Sequence, residues 1–528
     1  MNQSTQQNEA LFTLTAKHLL DAGYELTPLL DQMLQAANGY AERGIHGKKY
    51  LLKLLARDFG PPPIRLSMND APAPHNEAIR AKEKDERQNL ELVRKQMHTL
   101  LRVPVIRSGA IMPDACPVGK EPAAMPVGGV IAAQNAIIPA AHSSDICCSL
   151  FATFYEARGT IAAELDALTT ATRFGTGHRH LDDLVHHQVL DENVWTNPFL
   201  QGLRDRAHAH LADQGDGNHF AFLGETEVNP DWLFALENAG YSEIAATLRA
   251  QEGKTLRTLV THHGSRGLGA HVYKRGQIAA EKHTAKHGDH IPANGAWLDA
   301  TNIEGQNYWQ ALQYVARWTR ANHECIHHRF LTRISAQKIF QFGNEHNFVW
   351  QRGDLYLHGK GATPAWCDDT GRPLLGLIPL NMAEPILFVL GGNNQEYLGF
   401  APHGAGRNLS RTALRRLYAD EADHQAAIRH STAGLDIRWF CGKPDLSETP
   451  VAYKNAQRIR EQIAEFQLAH MLTEIRPLGC IMAGSTGRSW RDVEEELTPK
   501  QKRQIEHRSE RRKVRQSLRE NDDSDDDD

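Results

Sequence analysis

The stretch "TLRTLVTHHGSRGLG", residues 255–269, joins a short apolar run to a glycine-rich turn that carries two histidines. The same combination recurs in "DICCSLFATFYEA" (145–157), "GNHFAFLGE" (217–225) and "FQFGNEHNFVWQR" (340–352). Short apolar runs bounded by such turns are typical of buried β-strands. The pattern predicts strands that deliver their loops to one common face, where functional residues tend to collect.

Segments outside these runs show helical periodicity or loop composition. Residues 9 to about 58 predict two helices, "KEKDERQNLELVRKQMHTLLRV" (82–103) an amphipathic helix, and "GQNYWQALQYVARWTRANHECIHHRFLTRI" (305–334) a long one. The proline-rich segment at 61–78 predicts a connector without regular structure. The almost wholly charged segment from Glu496 to Asp528 predicts a helix that frays into a disordered acidic tail.

These elements together indicate an α+β protein in three parts. We expect a small N-terminal helical extension and linker over residues 1–104 and one large domain, with central β-sheets flanked by helices, over residues 105–487. Residues 488–528 form the charged C-terminal part. A chain of 528 residues exceeds what one compact core usually holds, which fits a large domain with appendages.

Composition narrows the class of protein. Hydrophobic residues make up 41 % and charged residues 23 % of the chain, as in ordinary soluble globular proteins. The net charge of -5 gives no overall basic field, so any RNA-binding surface must be local. We find no signal peptide and no apolar run of membrane-spanning length. The 7 cysteines are too sparse and odd in number for a disulfide framework, which favours a reducing cytoplasm. The oligomeric state cannot be read from the sequence.

Metal-ligand residue types stand beside several of the predicted strands. "SSDICCSL" places Asp145 and Cys148 three residues apart, which suits a metal ion, although a buried pair formed by Cys147 and Cys148 is the alternative. Four histidines stand in three motifs at similar strand edges or turns: His219, His262, His263 and His346. One such histidine is more often structural than a ligand. The whole set favours a metal cluster, although spacing alone does not show that its members converge.

The predicted long helix carries a further pair, His323 and His327. A His-x3-His spacing on one helix face suits zinc. The adjacent glutamate of metalloproteases is missing, and the helix has an apolar stripe of its own. We therefore interpret both as surface or core-edge histidines.

The stretch "YLGFAPHGAGRNLSR", residues 397–411, places His403 on a Gly-Ala-Gly loop. Small neighbours leave its imidazole open to a bulky partner, and Arg407 and Arg411 form a fork suited to phosphate. This indicates a nucleophilic or phosphate-facing histidine. The alternative is a glycine-rich turn with a surface histidine and two helix arginines.

The motifs taken in order resemble those of RtcB-type RNA-splicing ligases. They are "MPDACPVGKEP", "SDICC", "GNHF", "HHGSRGLG", "EHNFV", "HGKGATPA", "HGAGR..SR" and "RPLG", and they extend over roughly residues 105 to 485. Members of that family join an RNA 3'-phosphate or 2',3'-cyclic phosphate to a 5'-hydroxyl, using GTP and manganese. The resemblance therefore implies a large single catalytic domain of the RtcB type, two Mn²⁺ ions, a nucleoside triphosphate and an RNA substrate.

The resemblance also implies a role for individual residues. His403 would be the nucleophile that becomes guanylylated, with Asp114 needed beside it. Cys148 would bridge two metals, one also held by His262 and His346 and the other by Asp145 and His219. Arg407, counted with His403 and Asp114 as catalytic, and Arg411 would hold RNA or triphosphate oxygens. The nucleotide would be contacted by a further set: Asn218, Asn347, Lys360, Arg411 and Tyr453. We expect a narrow RNA groove lined by Arg266, Lys360, Arg407, Arg411, Arg415 and Arg416, although Arg415 and Arg416 equally suit a solvated helix face.

Three positions expected to hydrogen-bond the guanine base are apolar in this chain, namely Phe222, Ile386 and Met482. Tyr453 still matches the tyrosine that stacks on the base. Because an apolar site discriminates weakly between bases, the sequence predicts relaxed or changed nucleotide selectivity, with ATP a candidate. Cys116 replaces a histidine of the family pattern.

Two other function classes stay open at this point. One is a dimetal phosphoesterase or nucleotide hydrolase that does not seal RNA, which the altered base contacts support. The other is a non-catalytic RNA-binding relic, disfavoured because the candidate ligands and His403 all remain.

Overall fold

The structure, a computed structural model, describes residues 13–24, 27–62, 65–119, 121–175, 177–179 and 181–485. The predicted charged helix and acidic tail lie outside these residues. The described helices are α1 (Ala16–Asp21), α2 (Pro28–Glu42), α3 (Lys48–Phe59), α4 (Lys84–Leu100), α5 (Ile161–Ala171), α6 (Arg204–Ala209), α7 (Pro230–Asn238), α8 (Ser242–Arg249), α9 (Arg266–His287), α10 (Ile303–Arg333), α11 (Arg411–Leu417), α12 (Glu421–Ser431) and α13 (Ala456–Glu465).

Strands are more numerous and build two main sheets. They are β1 (Leu66–Ser67), β2 (His75–Glu77), β3 (Ile106–Cys116), β4 (Val127–Gln134), β5 (Ala136–Ile137), β6 (Ser149–Tyr155), β7 (Arg173–Phe174), β8 (Asp213–Gly215), β9 (Phe220–Glu227), β10 (Thr255–His263), β11 (Gly288–Asp289), β12 (Leu298–Asp299), β13 (Lys338–Glu345), β14 (Asn347–Arg352), β15 (Leu355–Lys360), β16 (Ala362–Pro364), β17 (Leu375–Ile378), β18 (Ile386–Gly391), β19 (Phe400–Pro402), β20 (Asp436–Trp439) and β21 (Ala469–Met482). The mixture of sheets and helices confirms the α+β prediction.

The larger sheet has the strand order β13-β6-β10-β9-β21-β18-β17, with β20 paired to β21. The five-stranded sheet has the order β14-β15-β4-β3-β2. In the larger sheet β6, β10 and β9 are antiparallel neighbours, and β13 is antiparallel to β6. Their alternating directions bring the start of β6, the end of β10, the start of β9 and the end of β13 to one sheet edge. The functional residues predicted near these strands lie at that edge.

The N-terminal extension differs from the two helices and unstructured connector predicted for it. Three helices, α1 to α3, enclose a small apolar core that includes Leu19, Met33 and Leu51. The proline-rich connector contains two short strands, because β1 pairs with β11 and β2 pairs with β3. Such pairing depends on partners far along the chain, which local composition does not reveal. The domain boundary at residue 104 stays a prediction.

The long helix α10 confirms the predicted helix and lies against one face of the larger sheet. His323 and His327 are fully buried there, so their assignment to the surface or core edge was wrong. The Thr261 hydroxyl lies 2.6 Å from His323 Nδ1 and 2.8 Å from His327 Nε2. The outer nitrogens meet the hydroxyls of Ser149 and Thr153 at 3.0 and 2.7 Å. Since every ring nitrogen has a hydroxyl partner, both buried imidazoles have their hydrogen-bonding groups satisfied.

Within the described residues, no helix is long and apolar enough to cross a membrane.

Candidate functional site

Five predicted metal ligands converge at the edge of the larger sheet. Cys148 Sγ lies 3.2 Å from His262 Nε2 and 3.7 Å from His219 Nε2. His262 Nε2 lies 3.1 Å from His346 Nε2, and His219 Nε2 lies 2.9 Å from an oxygen of Asp145. Two groups of ligand atoms result, each within 4.8 Å, and they share Cys148. Their composition is that predicted for two adjacent metals bridged by a thiolate.

Backbone carbonyls orient two of these imidazoles. His219 Nδ1 donates a hydrogen bond to the Gln214 carbonyl at 2.9 Å, and His262 Nδ1 donates to the Asn218 carbonyl at 3.1 Å. A carbonyl oxygen only accepts, so the proton of each neutral ring is on Nδ1 and the Nε2 lone pair faces the cluster. This is the outer support that metal-binding histidines usually have.

Electrostatics favour neutral imidazoles at His262 and His346 and an ionised carboxylate at Asp145. Burial lowers the pKa of His262 to about 3 and that of His346 well below its ordinary value. Burial raises the pKa of Asp145, but the contacts with His219, Cys148 and Arg266 together outweigh it and leave the pKa at about 2. Burial raises the pKa of the Cys148 thiol well above its ordinary value, so binding a cation there releases a proton. The donor set fits a pair of divalent transition-metal ions.

Local backbone geometry orients the side chains of Asp145 and of the two adjacent cysteines. Cys147 has a left-handed backbone, φ +58°, which turns its side chain into an apolar core cluster and away from the ligand groups. A Cβ at Gly264 would stand 2.0 Å from an oxygen of Asp145. Glycine there lets the loop after β10 close over the carboxylate. Cys147 is thus an apolar filler and Cys148 the candidate ligand.

His403 stands beside this cluster and is held by a buried acid. Its Nδ1 lies 2.5 Å from Asp114 Oδ2, and its ring centroid lies 5.0 Å from that of His346. Asp114 is fully buried. An ionised carboxylate only accepts, so Nδ1 carries the proton and Nε2 keeps a lone pair for nucleophilic attack. A Cβ at Gly406 would stand 2.0 Å from the Asp114 carbonyl oxygen, which explains the glycine three residues after His403.

Lys454 supports the acid, a role that the sequence did not indicate. Its ammonium group is buried and donates to the carbonyls of Pro113 and Ala115 at 3.0 and 2.7 Å. These carbonyls flank Asp114, so Lys454 fixes the strand that presents the carboxylate to His403. No local sequence signal distinguishes this lysine from an exposed one.

The arginine fork has a counter-ion that the sequence did not indicate. Arg407 and Arg411 both contact the buried carboxylate of Glu448, at 2.6 and 2.5 Å. Arg407 also lies over the ring of Tyr453, with its Cζ 4.9 Å from the ring centroid. One face of that ring is therefore covered, and a base could stack only on the other. Sequence analysis missed Glu448, which is 41 residues from Arg407 and has no motif of its own.

The remaining predicted contact residues serve the loops around the site. Asn347 accepts a hydrogen bond from the Gly361 amide at 2.7 Å, joining the segment after His346 to the loop before β16. Asn218 is exposed, next to His219. Lys360 donates to the Met125 carbonyl at 2.9 Å, and burial lowers its pKa to about 8.

The three apolar replacements share one environment. Phe222, Ile386 and Met482 are buried in a single apolar cluster with Trp232 and Phe388. They offer no hydrogen-bond donor or acceptor to a base edge. Of the predicted groove cations, Arg266 lies 3.9 Å from Asp213, and Arg415 and Arg416 are exposed on α11. The groove itself stays a prediction.

The comparisons with known proteins agree with this geometry. The sequence pattern of the family described as "tRNA-splicing ligase RtcB" matches residues 196–483, more than half of the chain. The chain is 28 % identical over 316 residues to a tRNA-splicing ligase RtcB of Pyrococcus furiosus, covering 53 % of this chain and 30 % of the relative. It is 29 % identical over 399 residues to the RNA-splicing ligase RtcB2 of Escherichia coli, covering 72 % and 90 %. A tRNA-splicing ligase RtcB of Pyrobaculum aerophilum is 24 % identical over 445 residues, covering 71 % and 88 %.

The matched part of the chain spans about a third of the length of the three Pyrococcus relatives, at 30, 34 and 32 %. It spans nearly all of the Escherichia coli relative. The family match agrees with the two ligand groups that have Cys148 in common and with the contact between His403 and Asp114. This chain belongs to the RtcB family.

Proposed function

We propose that this protein is an RNA ligase that joins 3'-phosphate or 2',3'-cyclic phosphate ends to 5'-hydroxyl ends. The observation that carries the proposal is the position of His403. Its Nδ1 is held by Asp114 at 2.5 Å, and its ring lies 5.0 Å from that of the metal-ligand candidate His346. The names of the relatives, tRNA-splicing and RNA-splicing ligases, support the same conclusion.

The first step follows from the tautomer of His403, in which Nδ1 carries the proton and Nε2 keeps its lone pair. The Nε2 lone pair attacks the α-phosphorus of a nucleoside triphosphate, a nitrogen–phosphorus bond forms, and the bond to pyrophosphate breaks. Asp114 stabilises the positive charge that develops on the ring, as the aspartate of a catalytic triad does. The nucleotide then passes to an oxygen of the RNA 3'-phosphate, and the 5'-hydroxyl oxygen displaces it as the monophosphate. A cyclic end must first be opened by water.

Two divalent cations would be held by the shared Cys148, one with His262 and His346 and the other with Asp145 and His219. When bound, they supply positive charge that neutralises phosphate oxygens. We propose Mn²⁺ for both sites, although Cys and His donors also accept zinc or cobalt. The thiol of Cys148 gives up its proton on binding.

Nucleotide choice is the part of the proposal that departs from the family pattern. GTP is the expected nucleotide, but the apolar environment of Phe222, Ile386 and Met482 favours relaxed selectivity that includes ATP. Tyr453 matches the tyrosine that stacks on the base, and Arg407 covers one face of its ring. The family match and the names of the relatives favour the ligase over the alternative of a dimetal hydrolase without sealing activity.

Residues 105–487 would form the catalytic domain and act on RNA in the cytoplasm. A direct test incubates the purified protein with Mn²⁺ and GTP or ATP labelled at the α-phosphate, and then with RNA bearing a cyclic phosphate and a 5'-hydroxyl. We expect label on the protein, sealed RNA, and loss of both in His403→Ala. The exposed His290→Ala is the matched control. Sealing by His403→Ala would contradict the mechanism, and labelling by GTP alone would contradict relaxed selectivity.

A further inference from the structure

The contacts of Glu448 separate the two arginines of the predicted fork. The Arg407 side chain is 18 % exposed, the Arg411 side chain 44 %, and the Glu448 side chain between them 1 %. The resemblance treats both arginines as phosphate contacts, but their surroundings are unequal. One is enclosed by the protein and the other reaches solvent.

Arg407 is fixed by several partners. It contacts Glu448 Oε2 at 2.6 Å, donates to the Ser447 carbonyl, and stands 3.3 Å from the Tyr453 hydroxyl while covering its ring. Tyr453 in turn donates to Glu448 Oε2 at 2.9 Å. A guanidinium with this many partners cannot turn toward a ligand without leaving a buried carboxylate uncompensated, which is costly.

Arg411 has fewer contacts. Its Nη2 lies 2.5 Å from Glu448 Oε1, whereas the bonds to Ser447 and Tyr453 belong to Arg407. Because the Arg411 side chain is 44 % exposed, water screens this ion pair from the solvent side. The guanidinium also lies 3.5 Å from where a Cβ of Gly217 would stand, in the loop that carries Asn218 and His219. Arg411 therefore reaches the loop beside the metal-ligand cluster.

We infer that Glu448 is a built-in anion that fixes Arg407 permanently and holds Arg411 only until a phosphate oxygen replaces it. Arg411 is then the exchangeable phosphate contact, and Arg407 is a positioning residue that keeps Glu448 and Tyr453 in place. The inference rests on the proposed function for the choice of ligand. A phosphate is negatively charged like the carboxylate, and two of its oxygens can accept the paired N–H groups of a guanidinium as a carboxylate does.

This arrangement also gives selectivity. A weakly held or singly charged anion does not displace the carboxylate, whereas a phosphate that is also bound elsewhere in the site does. The two sources of such a phosphate are the triphosphate of the nucleotide and the backbone or 3'-phosphate of the RNA. Both present the same oxygen, so binding measurements with each are needed to tell them apart.

The test compares full-length Arg411→Met and Arg407→Met with the unmodified protein. Binding of GTP, and separately of a fluorescent single-stranded RNA ending in a 3'-phosphate, is measured in Mn²⁺ over a range of NaCl concentrations. We expect Arg411→Met to weaken binding of one of the two ligands about 10- to 100-fold with an unchanged melting temperature. If the ligand is RNA, the slope of log affinity against log salt should fall by about 0.7. Arg407→Met should instead lower the melting temperature.

Glu448→Gln supplies the complementary measurement. Removing the competing charge should tighten binding of the same ligand by up to about tenfold, and Arg411→Met in that background should abolish the gain. Should Glu448→Gln fail to fold, the Arg411 measurements decide alone. Unchanged binding of both ligands in Arg411→Met, or equal losses in Arg407→Met at full stability, would overturn the inference. Failure of the proposed function is separable, because unmodified protein would then bind these ligands without sealing RNA.

Discussion

Replacing Asp114 by asparagine tests the contact that makes His403 a nucleophile. The carboxylate is buried, its Oδ2 lies 2.5 Å from the histidine Nδ1, and its Oδ1 has no hydrogen-bond partner. The amide can take two orientations there. With its oxygen toward the ring it keeps the tautomer but loses the negative charge, which removes a charge-assisted bond of about 1.5–3 kcal/mol. With its nitrogen toward the ring it forces the proton onto Nε2 and blocks attack.

The expected loss of rate lies between these two cases. Loss of charge assistance alone slows transfer by roughly 10- to 100-fold, and a reversed tautomer by about 10⁴-fold, as for the corresponding change in serine proteases. We therefore expect Asp114→Asn to form the nucleotidyl-protein about 10²- to 10⁴-fold more slowly. The free energy of unfolding should change by less than about 2 kcal/mol, since one buried polar group replaces another of the same shape.

The assay is single-turnover labelling of the protein with α-phosphate-labelled GTP in saturating Mn²⁺, alongside urea denaturation. Asp216→Asn is the matched control, because that carboxylate accepts a hydrogen bond from the Gly217 amide in a neighbouring loop. The control should label at the unmodified rate. Labelling of Asp114→Asn at the unmodified rate, or equal slowing in the control, would refute the role given to Asp114.

Three further outcomes are expected. Cys148→Ala should lose the rise in melting temperature that added Mn²⁺ gives the unmodified protein, whereas Cys147→Ala should keep it; the reverse result would exchange their roles. Burial lowers the pKa of Lys360 from 10.5 to about 8. Between these two pH values the unfolded chain holds a proton that the folded chain has lost. The free energy of unfolding therefore rises with pH in this range, by up to about 1.4 kcal/mol per pH unit. Urea denaturation at two pH values should find this slope absent in Lys360→Met. His323→Leu leaves the buried Ser149 hydroxyl without its partner, while Thr261 keeps its contact with His327. It should lower the free energy of unfolding in urea by about 1–3 kcal/mol, and an unchanged free energy would contradict the buried network.

Local sequence signals account for the strands, the long helix and most site candidates. The apolar runs ending at His262 and beginning after Cys148 have strand length and stand beside glycine turns, so both their existence and the location of the ligands follow from short-range pattern. Their convergence required the order β13-β6-β10-β9, which depends on pairing across more than a hundred residues. Only the ordered family motifs supplied that information at the sequence level.

The partners that the sequence did not indicate have a common physical cause. His323 and His327 look like polar helix positions because their hydroxyl partners lie on strands 62 to 174 residues away. The counter-ion of Arg407, Glu448, is equally hidden from the sequence because it belongs to a later loop. In both cases the hydrogen-bond partner or counter-ion of the side chain lies far away in the sequence, and the adjacent residues do not indicate it.

The adjacent histidines at the end of β10 serve opposite sides of the larger sheet. His262 points to the ligand cluster, and His263 stacks on His323 of α10 with ring centroids 3.5 Å apart. Since successive strand residues alternate in direction, inserting or deleting a single residue within β10 would exchange the two layers at once. We therefore expect this strand to accept no length change, and homologous chains to vary in length only in the loops that flank it.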